Sequence, residues 1–492
     1  MQLLFNIAPT HPVLKSVSFF KQYYNLKIIL PLFYPVKVFG MSNLFYFVSQ
    51  TILFAGIAFL IVFLFYSVHE KEKKAVLKVM PAVIVLSALC IANYIGFFPN
   101  WAQVILISLS SAGVILVIVP FGNKKIDFNV PNNRFDERDS MFSRKELEEG
   151  TEKFDTYYRR KSENRQKDDL FRKEAGLLSP VSKFYNPLIF NAAASTFSVV
   201  DLLQPLVEKK SAIAKFKDVD RIELTQFIKN WVIKLGASDV GFTDLKFHHI
   251  YSHVGRGNEY NNEVDLNHKY AIAFTVEMNY DSLKYTPQGP IIMESAQQYF
   301  NAGSIAVQVA QFLRNAGYEA RAHIDANYRV ICPVVAQDAG LGTIGRMGLL
   351  LTPKLGPRVR IGVVSTDLEL DVNKKPIDST ITNFCEICKK CAANCPSGAI
   401  SSVSFRNEKN IDPWRIDHEK CFTYWCKAGT DCGRCVTVCP FSHPDNFIHN
   451  FIRWLIKRNA FNRWLALKLD NYFYRNKPQI QSLKKWKMFS KS

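Results

Sequence analysis

FCEICKKCAANCPSGAI, residues 384–400, holds four cysteines in eleven positions and places a proline after the last of them. Cys385, Cys388 and Cys391 stand at C-x2-C-x2-C, a spacing that wraps a short loop around one cuboidal iron–sulfur cluster and brings three thiolates to three corners. Cys395, followed by Pro396, points away from that corner, and in two-cluster ferredoxins such a cysteine ligates the other cluster. One such run predicts a second, and Cys432, Cys435 and Cys439 supply it, with Pro440 after the last. Reciprocal pairing assigns Cys385, Cys388, Cys391 and Cys439 to one cluster. The other takes Cys395, Cys432, Cys435 and a fourth ligand that is either Cys421 or Cys426. Zinc also binds thiolate quartets, but C-x2-C-x2-C-x3-C-P is the iron–sulfur pattern.

The chain has 492 residues, enough for two or three domains that each bury a core, and no internal repeat. Of its eleven cysteines nine fall between Cys385 and Cys439, while Cys90 lies in an apolar run and Cys332 stands alone. An odd count crowded at metal-type spacing argues against a disulfide framework and for a cofactor kept in a reducing compartment. Lysine and arginine exceed aspartate and glutamate by 19, which points to an anionic neighbour without choosing among headgroups, nucleic acid and an acidic redox partner.

Outside the cysteine region the strongest signal is apolar length. Residues 44–66 carry no charge over a stretch sufficient to cross a hydrocarbon core as a helix. Two more runs, about 79–97 and 102–119, are joined by the short FPNW link, so 44–120 reads as three transmembrane helices with a hairpin. Their length and number argue against a cleaved signal peptide, and no twin-arginine signal precedes them. Lys71, Lys73, Lys74 and Lys78 follow the first span, and Lys124 and Lys125 follow the third. With three spans these flanks share a side, and the positive-inside rule puts them and the downstream chain in the cytoplasm, anchored multi-pass in the cell inner membrane. Lys15, Lys21, Lys27 and Lys37 in segment 1–43 oppose this, and a start at Met41 removes all four.

Residues 121–185 are dense in both signs of charge and weak in apolar periodicity, the composition of a solvated linker with helical turns. From 186 the pattern turns globular. ELTQFIKNWVIKLGASDVGFTDL reads as helix, glycine turn and strand; KYAIAFTVEM and VRIGVVST read as buried strands; MESAQQYFNAGSIAVQVAQFLRNAGY reads as a long amphipathic helix stopped at Gly317. Helices alternating with strands predict an α/β layer domain over 186–380, followed by a two-cluster ferredoxin-like domain over 381–445 and a basic amphipathic tail over 446–492.

Four segments, QQYFNAGSIAVQVAQFLRNAGYEA, AQDAGLGTIGRMGLLLTPKLGPRVRIGVVSTDLEL, the first cysteine run and KCFTYWCKAGTDCGRCVTVCPFSHP, occur in an order that resembles the corrinoid-dependent reductive dehalogenases. The resemblance covers about 186–480, and the wider family includes epoxyqueuosine reductases, which share the corrinoid-binding core and both clusters. It implies a nitroreductase-like fold burying a base-off cobalamin, with two 4Fe–4S clusters passing electrons from outer to inner and on to cobalt. The family needs no protein ligand to cobalt, and no D-x-H-x-x-G motif occurs here. Respiratory members are exported and dock on a separate three-helix membrane protein; here the anchor is fused.

By the same resemblance Tyr299 of QQYF is the proton donor, a residue that on its own pattern is a core aromatic. Arg360 of GPRVRIG is the cation that makes its phenolate accessible, with Arg358 as the alternative. A third polar group is expected in HIDANYR, with Asn327 favoured over His323 and Tyr328. Gly340, Gly342 and Gly345 form a glycine run without the preceding strand a dinucleotide site needs, and the resemblance makes them close-approach points for the corrinoid. The family's pattern favours Cys421 over Cys426 as the last ligand. The implied partners are a small organohalide, an electron donor such as ferredoxin, flavodoxin or a membrane quinol, and membrane lipid; nucleic acid is not expected. Two other readings remain: an epoxyqueuosine-reductase-like enzyme acting on tRNA, and a tethered iron–sulfur carrier without corrinoid.

Overall fold

The computed structural model describes residues 41–124, 133–209, 220–372, 377–403, 406–407, 410–411, 416–486 and 488. The lysines of the N-terminal segment before Met41 and Lys125 lie outside these residues. Contacts divide the chain into two compact units, one ending at Phe59 and including Val83–Ser111, the other made of Leu60–Ala82 and Ala112–Ser492.

Three helices, α1 (Met41–His69), α2 (Lys73–Tyr94) and α3 (Asn100–Ile118), are long and apolar enough to cross a membrane. The second starts six residues before the apolar run that marks it, because Lys73, Lys74 and Lys78 form its first turns. In the first unit α1 and α2 are joined by buried polar groups. The Asn93 amide donates to Gln50 Oε1 at 2.8 Å and Ser49 Oγ at 3.1 Å, and the Gln50 amide donates to Cys90 Sγ at 3.1 Å. Where no water competes, such bonds and small residues hold helices together. Gly56 serves the second need, since a Cβ there would lie 2.8 Å from Leu86.

The second unit contains the globular domain. Its elements are α4 (Pro187–Asp201), α5 (Arg221–Lys234), β1 (Asp239–Asp244), β2 (Tyr270–Glu277), α6 (Pro290–Asn315), β3 (Ala320–His323), α7 (Cys332–Asp338) and β4 (Val359–Thr366). The four strands form one sheet in the order β1-β2-β4-β3, and every described pairing is antiparallel. Mixed helix and sheet matches the sequence pattern, but helix–strand alternation here does not give a parallel sheet. β2 and β3 run parallel to each other, joined through α6, with the antiparallel β4 inserted between them, a split βαβ arrangement.

Strand alternation sorts β2 onto two faces. Ile272, Phe274 and Val276 pack with Ile228 and Val232 of α5 and with Ile305 and Val309 of α6. Ala271 and Ala273 pack with Val335 and Ala336 of α7. Phe274 pairs in register with Gly362, and any Cβ at 362 would come within 2.2 Å of the Phe274 ring, so that glycine makes room for the largest core side chain on the sheet. The cysteine region follows as α8 (Ser379–Cys388), a short turn at Lys390–Ala393, α9 (His418–Ala428) and a short turn at Arg434–Thr437. The tail forms α10 (Phe447–Arg458) and α11 (Ala460–Tyr474), whose Ile456 and Ala466 join the core around Phe384 and Phe441.

The charged segment differs from its reading as a solvated linker. Within 133–185, Phe154, Tyr157, Tyr158 and Phe171 are buried. Phe171 packs with Phe422 and Cys426 of α9. Two of its charges are buried as a pair, Arg144 with Asp168 at 3.0 Å, and Arg144 also reaches Glu419 of α9 at 2.6 Å. Pairing removes the penalty that would otherwise keep such residues in solvent.

Candidate active site and cluster sites

The first cysteine set converges. Cys385 and Cys388 end α8, the left-handed Lys389 (φ 55°) turns the chain, and Cys391 follows in the next turn. Together with Cys439 they line one pocket walled by Met347, Phe384 and Phe441. Burial pushes the Cys439 thiol well up, and its neighbours Cys385, Cys388 and Cys391 push it further. Thiols this crowded and dry stay protonated until a cation binds them, which is the condition of a metal site before loading.

A second set gathers around Cys435. Its thiol is pushed well up by burial and then by Cys432, Cys421 and Cys395. Cys421 rises to about 12 from burial and from Cys395, and Cys432 to about 12 from burial, Cys421 and neighbouring groups. Cys426, two turns along α9, sits instead among Met141, Phe171 and Phe422, and its nearest charged influences are Lys145 and Glu174. The structure thus brings Cys395, Cys421, Cys432 and Cys435 together and leaves Cys426 apart. Cys332 is buried alone beside Val330.

Tyr299 projects from α6 and Arg360 from β4, and the guanidinium carbon lies 5.0 Å from the tyrosine ring centroid. Arg360 is fixed from below: its Nη2 donates to Ser295 Oγ at 2.6 Å and to Asp431 Oδ2 at 2.9 Å, and Ser295 also bonds Asp431. Burial pushes the Tyr299 phenol up to about 12, Arg360 pulls against that, and Asp325 and Asp431 add to it. Arg358, the alternative, is spent on structure. It donates to Ser442 O at 3.1 Å, to Met278 O and to Glu277.

Within HIDANYR the three candidates for the third polar group have different surroundings. Asn327 accepts from Arg321 at 2.7 Å. His323 is buried between Ser365 Oγ at 2.9 Å and the Arg329 amide at 3.1 Å. Tyr328 is the member of that segment that feels Tyr299, its phenol pushed well up by burial, Asp325 and Tyr299, with Arg256 5.6 Å from its ring. The glycine run is also explained within the protein. Gly340 has φ +78° after α7, and Cβ atoms at Gly342 and Gly345 would lie 2.3 and 2.4 Å from Leu351 atoms, so these two let the Leu350–Leu351 strand approach closely.

Asp431, Ser295, Asp325 and Arg256 were not read from the sequence. Asp431 stands directly before Cys432, so the second cysteine set is one residue from the network holding Arg360. Two buried atoms there, Arg360 Nε and Asp431 Oδ1, have no protein partner. One is a donor and the other an acceptor, and an amide-fringed macrocycle can satisfy both kinds.

Comparison with known proteins agrees with this layout. Residues 384–443 match the model of the 4Fe-4S dicluster domain, so this segment is a two-cluster iron–sulfur domain. The tetrachloroethene reductive dehalogenase of Sulfurospirillum multivorans is 36% identical over 203 residues, covering 40% of each chain. A solved reductive dehalogenase whose structure suggests a mechanism for B12-dependent dehalogenation is 26% identical with a TM-score of 0.54, covering 63% of this chain and 46% of that one. Epoxyqueuosine reductase of Escherichia coli is a more distant relative, 23% identical over 233 residues. The resemblance to reductive dehalogenases therefore stands, while the chain spans less than half the length of the dehalogenases it matches.

Proposed function

We propose that the protein is a membrane-anchored reductive dehalogenase that replaces the halogen of a small organohalide by hydrogen, using two electrons and a proton. The observation that carries this reading is the Tyr299–Arg360–Asp431 network, adjacent in sequence to a cluster cysteine. A corrinoid bound at this network, in a nitroreductase-like domain, would supply the carbon–halogen chemistry. The residues of this chain do the rest. Tyr299 Oη holds the proton for the carbon that loses halide. Arg360 lowers the cost of the phenolate left behind. Ser295 and Asp431 hold Arg360 in place. Tyr328 is the third polar group at the site, in place of Asn327. Cys385, Cys388, Cys391 and Cys439 would hold the outer cluster, and Cys395, Cys421, Cys432 and Cys435, beside Asp431, would hold the inner one that supplies electrons to the site.

The three spans anchor the chain in the inner membrane with lysine-rich flanks on the cytoplasmic side, and the catalytic part stands on that side. Anaerobic reconstitution with cobalamin and iron tests the proposal. About eight iron and one cobalt per chain are expected, with halide release from brominated and chlorinated phenols or alkenes that is lost in Tyr299→Phe. Bound cobalt and iron without halide release, or turnover of modified tRNA alone, would overturn it.

A further inference from the structure

A cavity of about 1420 Å³ opens on the other side of α6 from Tyr299. Pro290, Met293 and Gln297 line it and Tyr299 does not, since at about 100° per residue they stand roughly 180°, 120° and 160° around the helix from Tyr299. Cys439 of the first cysteine set forms part of its wall, and so do Lys71 and Glu72 of the link between α1 and α2 and Lys73 and Lys74 at the start of α2. Tyr280, Tyr285, Tyr474 and Trp486 add an aromatic side to a wall that also carries Lys284, Arg434, Arg475 and Lys485.

His443 borders the same cavity, and its surroundings fix its tautomer. Nε2 lies 2.9 Å from Asp470 Oδ1, and the Lys390 ammonium on Asp470 keeps that carboxylate an acceptor, so Nε2 carries the ring hydrogen. Nδ1 is left as a lone pair, buried and without a partner. The Tyr474 ring, itself part of the cavity wall, covers it with centroids 4.2 Å apart. On its far face His443 stacks on His449 at 4.5 Å, and His449 Nε2 lies 3.1 Å from both oxygens of Glu70 in the α1–α2 link. Dehalogenation uses none of these groups.

We propose that this cavity binds a lipophilic hydroquinone that reduces the cluster held by Cys439 and gives up a proton to His443 Nδ1. The proposal rests on the reading of that cysteine set as the point of electron entry and of α1–α3 as spans. A cluster ligand in the wall supplies the electron route. A basic nitrogen in the wall suits a donor that sheds protons as it is oxidised, which a ferredoxin does not. The α1–α2 link gives access from the membrane surface, and the aromatic wall suits a flat ring. In the step both O–H bonds of the hydroquinone break and the ring becomes quinone. Two electrons pass singly to the cluster, one proton goes to Nδ1 once Tyr474 turns aside, and the other goes to solvent in the cavity. Joined to dehalogenation, hydroquinone and R–X give quinone, R–H, a proton and halide.

The test uses the full chain in lipid nanodiscs with its clusters reduced by dithionite, mixed with 2,3-dimethyl-1,4-naphthoquinone. Oxidation by quinone runs the same site in reverse. The expected rate saturates with quinone concentration and falls about a hundredfold in His443→Phe. His443→Asn, which keeps a donor toward Asp470, should show the same fall. Ferricyanide should oxidise all three proteins equally, and their iron content should match. A rate that rises linearly without saturation, or variants as fast as the parent, would overturn the proposal. Neither corrinoid nor organohalide takes part, so failure of dehalogenation leaves this result standing, and missing iron would count against the cluster reading instead.

Discussion

Replacing Arg360 with methionine tests the chemistry at its most exposed point. The side chain keeps most of its bulk, while the charge and the hydrogen bonds to Ser295 and Asp431 are lost. Arg360 lies 5.0 Å from the Tyr299 ring, and two unit charges at that separation interact by about 3 kcal/mol at an effective dielectric of about 20. That stabilisation appears as phenolate develops, so its loss lowers the rate of proton donation by about two powers of ten. The sign is fixed by the site. Burial already holds Tyr299 at about 12, and removing the cation raises it further. Anaerobic single-turnover halide release, followed in protein with full iron and cobalt, measures the effect. Arg360→Lys should recover part of the rate, because the charge returns without the fork that reaches Ser295 and Asp431. A methionine variant within threefold of the parent would refute the assignment of Arg360 as the partner of Tyr299.

Asp431→Asn should act in the opposite direction on the phenol, since its carboxylate pushes Tyr299 up; a lower Tyr299 pKa by ultraviolet titration is the readout. Cys421→Ser should reduce iron from about eight to about four per chain, while Cys426→Ser retains the full content in the same metal assay. Arg144→Leu leaves Asp168 buried and unpaired, which should cost about 3–5 kcal/mol in denaturant unfolding. Against the pull of burial, His249 and Lys246 hold the Asp338 carboxyl at about 2, below its ordinary 3.8. A depressed carboxyl contributes stability above its unfolded pKa and loses it as pH falls toward the folded one, so about 2 kcal/mol should disappear between roughly pH 4 and 2. Asp338→Asn should flatten that slope in acid unfolding.

The cysteine ligands were readable because their chemistry is set by spacing along the chain. The choice of Cys421 over Cys426 did not follow from spacing, since both lie on one helix, and came from the family resemblance alone; packing turns Cys426 to Phe171. Tyr299 and Arg360 are far apart in sequence and meet because β4 lies beside the N-terminal part of α6. Asp431 escaped notice because an acid before a cysteine reads as a loop residue, and its partners come from two other elements. Which residue of HIDANYR faces inward depends on a turn where Arg321 bonds Asn327, and that is not legible in the sequence. The segment 121–185 misled because its apolar residues are few, and its charges neutralise one another when buried.

The hold of Arg144 on Glu419 bears on how such a protein matures. Glu419 lies two residues before Cys421, on the helix that must be in register for iron to be captured. Docking of the segment after the third span and the placing of Cys421 therefore depend on one helix, although about 250 residues of chain separate the two, so the docking arm is synthesised before the helix that receives it.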